Sequence, residues 1–224
     1  MKTYKLSPSG LSLFSDCSRC FWLDYNKDIS RPTAIFPSLP SGMDRVLKAY
    51  FDSFRKKGKL PPELAKLGNG VTLFDDESLL DVWRNNFKGI RWSDEEGNVL
   101  RGAVDEILKK GNLLIVLDFK TRGFPIKKDT HESYQDQLNI YNFLLRKNGL
   151  ETEEYAYLLF FHPKKMKSGG VAFHSELVKV RISPKNAEKL FKDALKVLKG
   201  RMPKSAKDCK YCKWAKSLQS AYRV

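Results

Sequence analysis

The sequence predicts an α/β fold: a mixed central sheet flanked by helices, with both ends of the chain meeting at a four-cysteine metal centre. Three observations lead there. Segments with helical spacing of apolar residues alternate with short apolar or alternating runs, the order expected of helix layers packed on a sheet. Gly111-Asn112 stands between two apolar-rich runs and marks a tight two-residue hairpin turn. Two CxxC pairs, Cys17/Cys20 and Cys209/Cys212, lie near opposite ends of the chain.

Taken in order, Ser7-Pro8-Ser9 opens a helix with a capping serine and a first-turn proline, and Leu11 and Phe14 carry it into the first CxxC. Phe21 and Trp22 are expected in the core. Arg31 to Ser41, with Pro32, Pro37 and Pro40, reads as a loop. A helix follows from about Gly42 to Lys57, with Met43, Val46, Leu47, Tyr50, Phe51 and Phe54 on its buried face. Gly58 to Asn69 is a connection, and Asp75 to Phe87 a helix on Leu79, Leu80, Val82 and Trp83. Lys88–Trp92 and Val99–Leu108 then pair across the turn 94–98, followed by the Gly111-Asn112 hairpin. Glu132–Lys147 is a helix stopped by Asn148-Gly149. Glu154–Phe161 reads as a buried strand and Val171–Ile182 as an alternating one. The last helix, capped by Ser183-Pro184, ends at Gly200 with Leu190, Phe191, Ala194, Leu195 and Leu198 inward. His131, His162 and His174 look isolated, none with a second histidine at ligand spacing.

A length of 224 residues suits one domain with a sizeable core. Residues 42–182 would form that core, and 1–30 with 200–224 the cysteine-bearing part. The 41 basic residues against 26 acidic ones leave a formal charge of +15, which points to a polyanion, most directly nucleic acid. No apolar run is long enough to span a membrane and MKTYKLSPSG has no signal-peptide core, so the expected location is cytoplasmic, with no membrane partner. In that reducing setting paired CxxC motifs indicate a shared metal rather than disulfides. Four thiolates suit either tetrahedral zinc or an iron–sulfur cluster. Lys192, Lys196 and Lys199 lie on the solvent side of the last helix and lead into Arg201 and Lys204, a candidate phosphate-contacting surface.

The chemistry concentrates in Arg101–Thr121, RGAVDEILKKGNLLIVLDFKT. A two-residue turn pairs Lys110 with Leu113, and the same register sets Asp105 opposite Asp118, with Cβ atoms about 5 Å apart. Lys120 then shares a face with Asp118, and Phe119 takes the other. Two facing carboxylates repel unless a cation lies between them, and Mg²⁺ or Mn²⁺ prefers such hard oxygen donors. Gln137 and Tyr141, four apart on the next helix, share one face.

GAVDEI followed by LDFKT resembles the RecB-like branch of the PD-(D/E)XK nuclease superfamily, whose pattern is GxxDxI and then a strand ending D-x-K. The resemblance implies a metal-dependent deoxyribonuclease, acting on DNA ends or single strands. Asp105, Asp118 and the Phe119 backbone carbonyl would hold Mg²⁺ or Mn²⁺, and Lys120 would be catalytic. QLNIY matches the family's QxxxY motif, which makes Gln137 and Tyr141 strand-positioning residues. SxSxLxxFxxCxxxFW is similar to the N-terminal segment of the iron–sulfur members, including the CRISPR-associated exonucleases. It implies a [4Fe–4S] cluster at Cys17, Cys20, Cys209 and Cys212. The two-plus-two arrangement departs from their one-plus-three and keeps Zn²⁺ as the alternative. Relatives also carry a histidine on the helix after the loop. This chain has none before His131, and Asp44 is the nearest substitute. A catalytically weak or inactive DNA-binding subunit of a larger complex is the competing reading, and a zinc-stapled RNA-binding protein a third. Protein partners in DNA repair or CRISPR adaptation stay open.

Overall fold

A computed structural model describes residues 2–32, 38–68 and 70–222. Pro37 and Asn69 of the expected connections lie outside the described residues.

The chain begins with a two-residue strand β1 (Lys5–Leu6), then α1 (Pro8–Asp16) and α2 (Ser18–Lys27). Ser7 caps α1 through its hydroxyl, which accepts from the Gly10 N–H. Phe21 is fully buried. Trp22 is only half-buried, because its indole N–H reaches outward to the Gly200 carbonyl. Helix α3 (Ser38–Arg55) starts four residues earlier than the sequence suggests. Pro40 therefore sits in its first turn, where a missing N–H costs nothing. Leu47 and Phe51 are buried, but Val46 is 58% exposed and lies off the packed face.

A 3-10 turn (Pro62–Leu67), β2 (Val71–Leu73) and α4 (Glu77–Arg84) follow, with β2 and β1 both unforeseen. Then come β3 (Ile90–Ser93), β4 (Val99–Gly102), β5 (Glu106–Lys110), β6 (Leu113–Thr121), a second 3-10 turn (Thr130–Tyr134) and α5 (Gln135–Lys147). The chain closes with β7 (Tyr155–Lys167), β8 (Gly170–Arg181), α6 (Pro184–Lys199) and α7 (Lys210–Ala221). Ser183 holds the N-cap of α6 without a side-chain cap, its own N–H donating to Asn139 Oδ1 at 2.7 Å.

The five-stranded sheet runs β2-β5-β6-β7-β8, and a smaller sheet runs β1-β4-β3. Strands β6 and β7 are parallel and the other neighbours in the larger sheet antiparallel, so the sheet is mixed. The hairpin register is the expected one, with Lys110 opposite Leu113 and Glu106 opposite Leu117. Gly111 has φ +58 while Asn112 does not take a positive φ, the pattern of a two-residue turn with glycine first.

The continuous strand expected over Val99–Leu108 is broken. Residues 103–105 leave the ladder, and β4 and β5 belong to different sheets. The end of α4 satisfies their backbone instead: Val104 N–H donates to the Trp83 carbonyl, and Arg84 Nε to the Asp105 carbonyl at 2.8 Å. The β7–β8 pairing also sets His162 opposite His174, with ring centroids 5.1 Å apart, so these two histidines are not isolated.

Alternation along β6 gives the sheet two different faces. Ile115, Leu117 and Phe119 pack under α3, where Phe119 meets Phe51 at 4.7 Å. Leu114 and Val116 pack against α5 and α6, and Asp118 and Lys120 continue that same face toward its open end.

Candidate active site

The C-terminal end of β6 carries a polar cluster built by four elements. Asp118 and Lys120 come from β6, and Asp105 from the bend before β5. Gln137 and Tyr141 are one turn apart on α5, and Asp44 and Lys48 one turn apart on α3. Every residue expected at the catalytic centre arrives there. The cysteines meet elsewhere, and Lys192, Lys196 and Lys199 lie on α6.

Asp105 stands one residue outside the ladder, so its carboxylate turns across to the facing strand, and Oδ2 accepts from the Phe119 N–H at 2.9 Å. Gln137 is the hinge of the cluster. Its Nε2 donates to Asp118 Oδ1 at 3.3 Å and to Tyr141 Oη at 2.7 Å, while its Oε1 accepts from Lys120 Nζ at 3.1 Å. Lys120 also lies over the Tyr134 ring, 4.8 Å from its centroid. Gly102 explains the first position of GxxDxI: a Cβ there would stand 2.8 Å from Tyr141 Cε1. The bare backbone is what lets the tyrosine ring seat beside the carboxylates.

Asp118 is 1% exposed. Burial, then repulsion from Asp105, raises its carboxyl to about 7 against the pull of Lys120. Its Oδ2 is in ion-pair contact with Lys120 Nζ yet receives no directed hydrogen bond. A buried carboxylate beside a second one, with an oxygen that lacks a directed hydrogen bond, fits a hard divalent cation. Mg²⁺ typically takes one or two protein carboxylates and fills the rest of its shell with water and phosphate oxygens, which matches Asp105 and Asp118 as the donor pair. Tyr141 is pushed well above the usual phenol range by burial and by both aspartates, so it stays a neutral donor.

Two features had no sequence signal. Lys48 Nζ lies 2.8 Å from Asp44 Oδ2 and 3.3 Å from Asp105 Oδ1, tying the helix aspartate to the hairpin. Behind Asp105, Glu106 is fully buried and held by Arg55 Nη2 at 2.6 and 2.7 Å and by Arg84 Nη2 at 2.8 Å. Arg84 also grips Asp52 and the Asp105 carbonyl. This buried network positions the Asp105 backbone, and its members are remote in sequence. Amphipathic spacing could locate α3 but could not identify which polar residue turns inward.

A cleft of about 350 Å³ opens beside Gln137 and Tyr141, and Ser7, Ser9, Asn86 and Arg101 line its other walls. On α6, Lys192 pairs with Glu188 and Lys199 with Glu96, above the acidic turn 94–96.

The four cysteines gather with their sulfur atoms all within 4.8 Å of one another, the sole such group of metal-ligating side chains among the described residues. Burial raises the Cys20 and Cys212 thiols. It also acts on Cys17, but the Ala206 and Cys20 backbone groups outweigh it and lower that thiol to about 6. Among the described residues no helix is long and apolar enough to cross a membrane.

No curated protein matched the sequence. A cation-ready pair of aspartates, a lysine two residues after the second, and a Gln–Tyr face brought over them by the following helix form one nuclease-type constellation. The family comparison agrees: the PD-(D/E)XK nuclease superfamily matches residues 44–217, a span that contains every part of it, and the chain belongs to that superfamily.

Proposed function

We propose that the protein is a Mg²⁺- or Mn²⁺-dependent deoxyribonuclease of the RecB-like type, hydrolysing phosphodiester bonds at DNA ends or in single strands. The buried Asp118 carboxylate, facing Asp105 and with one oxygen paired to Lys120 without a directed hydrogen bond, is the observation that carries this reading. Bound Mg²⁺ or Mn²⁺ would polarise the scissile phosphate and lower the pKa of the attacking water. Asp105, Asp118 and the Phe119 carbonyl would hold the ion. Asp44 takes the place of the relatives' histidine and adds a third hard donor on the α3 side.

Lys120 holds its ammonium where charge develops on the phosphoryl oxygens and orients the water. Gln137 keeps Lys120 and Asp118 in register through one amide, a role that suits a group bonded to both. Tyr141 and the Ser7, Ser9 and Arg101 wall line the path of the strand beside the reacting phosphate.

Strand β7 runs parallel to β6, pairs with it as far as Phe161, and continues to Lys167. The β7–β8 hairpin therefore projects past the active-site end of the sheet, bearing exposed Lys164, Lys165 and Lys167. This arm is the main phosphate track. Lys192, Lys196 and Lys199 form a second, weaker one, since Lys192 and Lys199 already have acidic neighbours.

The competing reading, a catalytically inactive DNA-binding subunit, draws on Lys48, which neutralises Asp44 and Asp105 in the arrangement described. End-labelled single- and double-stranded DNA, incubated with the protein and Mg²⁺ or Mn²⁺, separates the two. Cation-dependent shortening supports the nuclease, and retention without cleavage under every cation condition supports the binding subunit.

A further inference from the structure

The cysteine centre is built for one ion. We propose that Cys17, Cys20, Cys209 and Cys212 hold a single tetrahedral Zn²⁺, in place of the [4Fe–4S] cluster that the sequence resemblance implies. The proposal stands apart from the catalytic reading and holds whether or not the protein cleaves DNA.

Geometry decides between the two. Zinc–thiolate bonds of about 2.3 Å arranged tetrahedrally place neighbouring sulfurs about 3.8 Å apart. The sulfurs of Cys20 and Cys209 are 3.5 Å apart, those of Cys20 and Cys212 3.6 Å, and those of Cys17 and Cys212 4.0 Å. A four-iron cluster binds each thiolate to a different corner of an iron–sulfide cube, which spreads the four sulfurs to roughly 6 Å. All pairs here lie within 4.8 Å. Cys17, Cys20 and Cys209 are also buried, with Leu13 and Ala206 packed against them, so the site cannot widen without moving helices. Among divalent ions able to take this S₄ set, zinc outcompetes ferrous iron.

The surroundings suit a doubly negative zinc tetrathiolate. Cys17 is the N-cap of α2 and Cys209 the N-cap of α7, with Cys20 and Cys212 in the first turn of each helix. Four thiolates thus converge at two helix N-termini. Two donors aim at sulfur, the Ala206 N–H at Cys17 (3.4 Å) and Arg31 Nη2 at Cys209 (3.5 Å). The Arg31 guanidinium supplies positive charge and stacks on Tyr211 at 4.5 Å.

The ion would act as a staple. Helix α7 buries none of its own residues, so packing gives it little hold on the fold, and its cysteine-bearing start is what attaches it. A link between α2 and α7 closes a very long loop and constrains the unfolded chain accordingly.

The test uses the full chain produced in medium containing both iron and zinc, purified anaerobically, with metals counted by plasma mass spectrometry and the visible spectrum recorded. One zinc per chain, no stoichiometric iron and a colourless solution are expected. Replacing zinc with Co²⁺ should give the intense visible bands of tetrahedral thiolate coordination. Removing the zinc with a chelator should speed protease cleavage within residues 203–222 by about tenfold or more. Brown protein with about four irons and four sulfides per chain overturns the proposal. So does one iron per chain, or four cysteines that react freely with a thiol reagent in the native protein. Each readout is taken on the wild-type chain, so none depends on a variant folding and none on nuclease activity.

Discussion

The substitution Asp118→Asn should make the protein, without divalent cation at the catalytic centre, more stable at pH 8 relative to wild type than it is at pH 5. In the folded state burial and the neighbouring Asp105 raise the Asp118 carboxyl to about 7, whereas the ordinary value is 3.8. Between those values the folded chain binds one proton more than the unfolded chain. Stability from this group is therefore complete below 3.8 and lost as pH rises through 7, at up to about 1.4 kcal/mol per pH unit. The full window amounts to about 4 kcal/mol, and the portion between pH 5 and pH 8 to about 3 kcal/mol. Asparagine keeps an oxygen to accept from Gln137 Nε2 and has no proton to lose. The pull of Lys120 on the charged carboxylate is already contained in the value of about 7, so the ion pair that asparagine lacks at pH 8 is not a separate contribution. Urea denaturation of both proteins at the two pH values measures the difference, with no added divalent cation and the cysteine centre left loaded. For a chain of this length it corresponds to roughly 6–12 °C in melting temperature. Mg²⁺ should reverse the pattern, stabilising wild type more at pH 8 than at pH 5 and the variant hardly at all. Identical pH slopes in wild type and variant, to within about 0.5 kcal/mol, would refute the reasoning.

Asp105→Ala, Asp118→Ala and Lys120→Ala should each lower cation-dependent cleavage by about a thousandfold or more while the circular dichroism spectrum is unchanged; rates within about threefold of wild type in all three would remove the catalytic assignment. Charge reversal of Lys164, Lys165 and Lys167 to glutamate should weaken DNA binding and reduce its salt dependence by about three phosphate contacts. The same reversal at Lys192, Lys196 and Lys199 should do less, and equal or opposite effects in a filter-binding titration would exclude the hairpin as the main track. Glu106→Ala leaves the buried Arg55 and Arg84 with the half-buried Asp52 as their one remaining carboxylate partner and should cost about 3 kcal/mol in denaturant unfolding, with loss of cleavage through displacement of Asp105. Variant stability within about 1 kcal/mol of wild type would show that the network is dispensable.

Much of the site was legible because its parts are local. Gly111-Asn112 sets a two-residue turn, and from that turn the register from Lys110–Leu113 to Glu106–Leu117 follows. The same counting brings Asp105 up to Asp118, although the ladder ends one residue short of them. Gln137 and Tyr141 follow from helical spacing alone. The missed elements are those with weak local signals: β1 and β2 have two and three residues, and α7 has no buried face to give it a period. The break at 103–105 was hidden because Val99–Leu108 reads as one strand; the donors that end it come from Trp83 and Arg84 of α4.

The sequence by itself determined which residues are candidates for the chemistry, because residue type and short-range spacing suffice for an aspartate–aspartate–lysine set, a Gln–Tyr face and two cysteine pairs. Tertiary structure alone decided their environment. It brought Lys48 between Asp44 and Asp105, buried Glu106 against two arginines, set His162 against His174, and left Asp118 Oδ2 without a directed hydrogen bond. It also set the separations among four sulfurs drawn from residues 17–20 and 209–212. These depend on distances between segments far apart in the chain, fixed by how helices pack on the two faces of the sheet, and no spacing within a single segment encodes them.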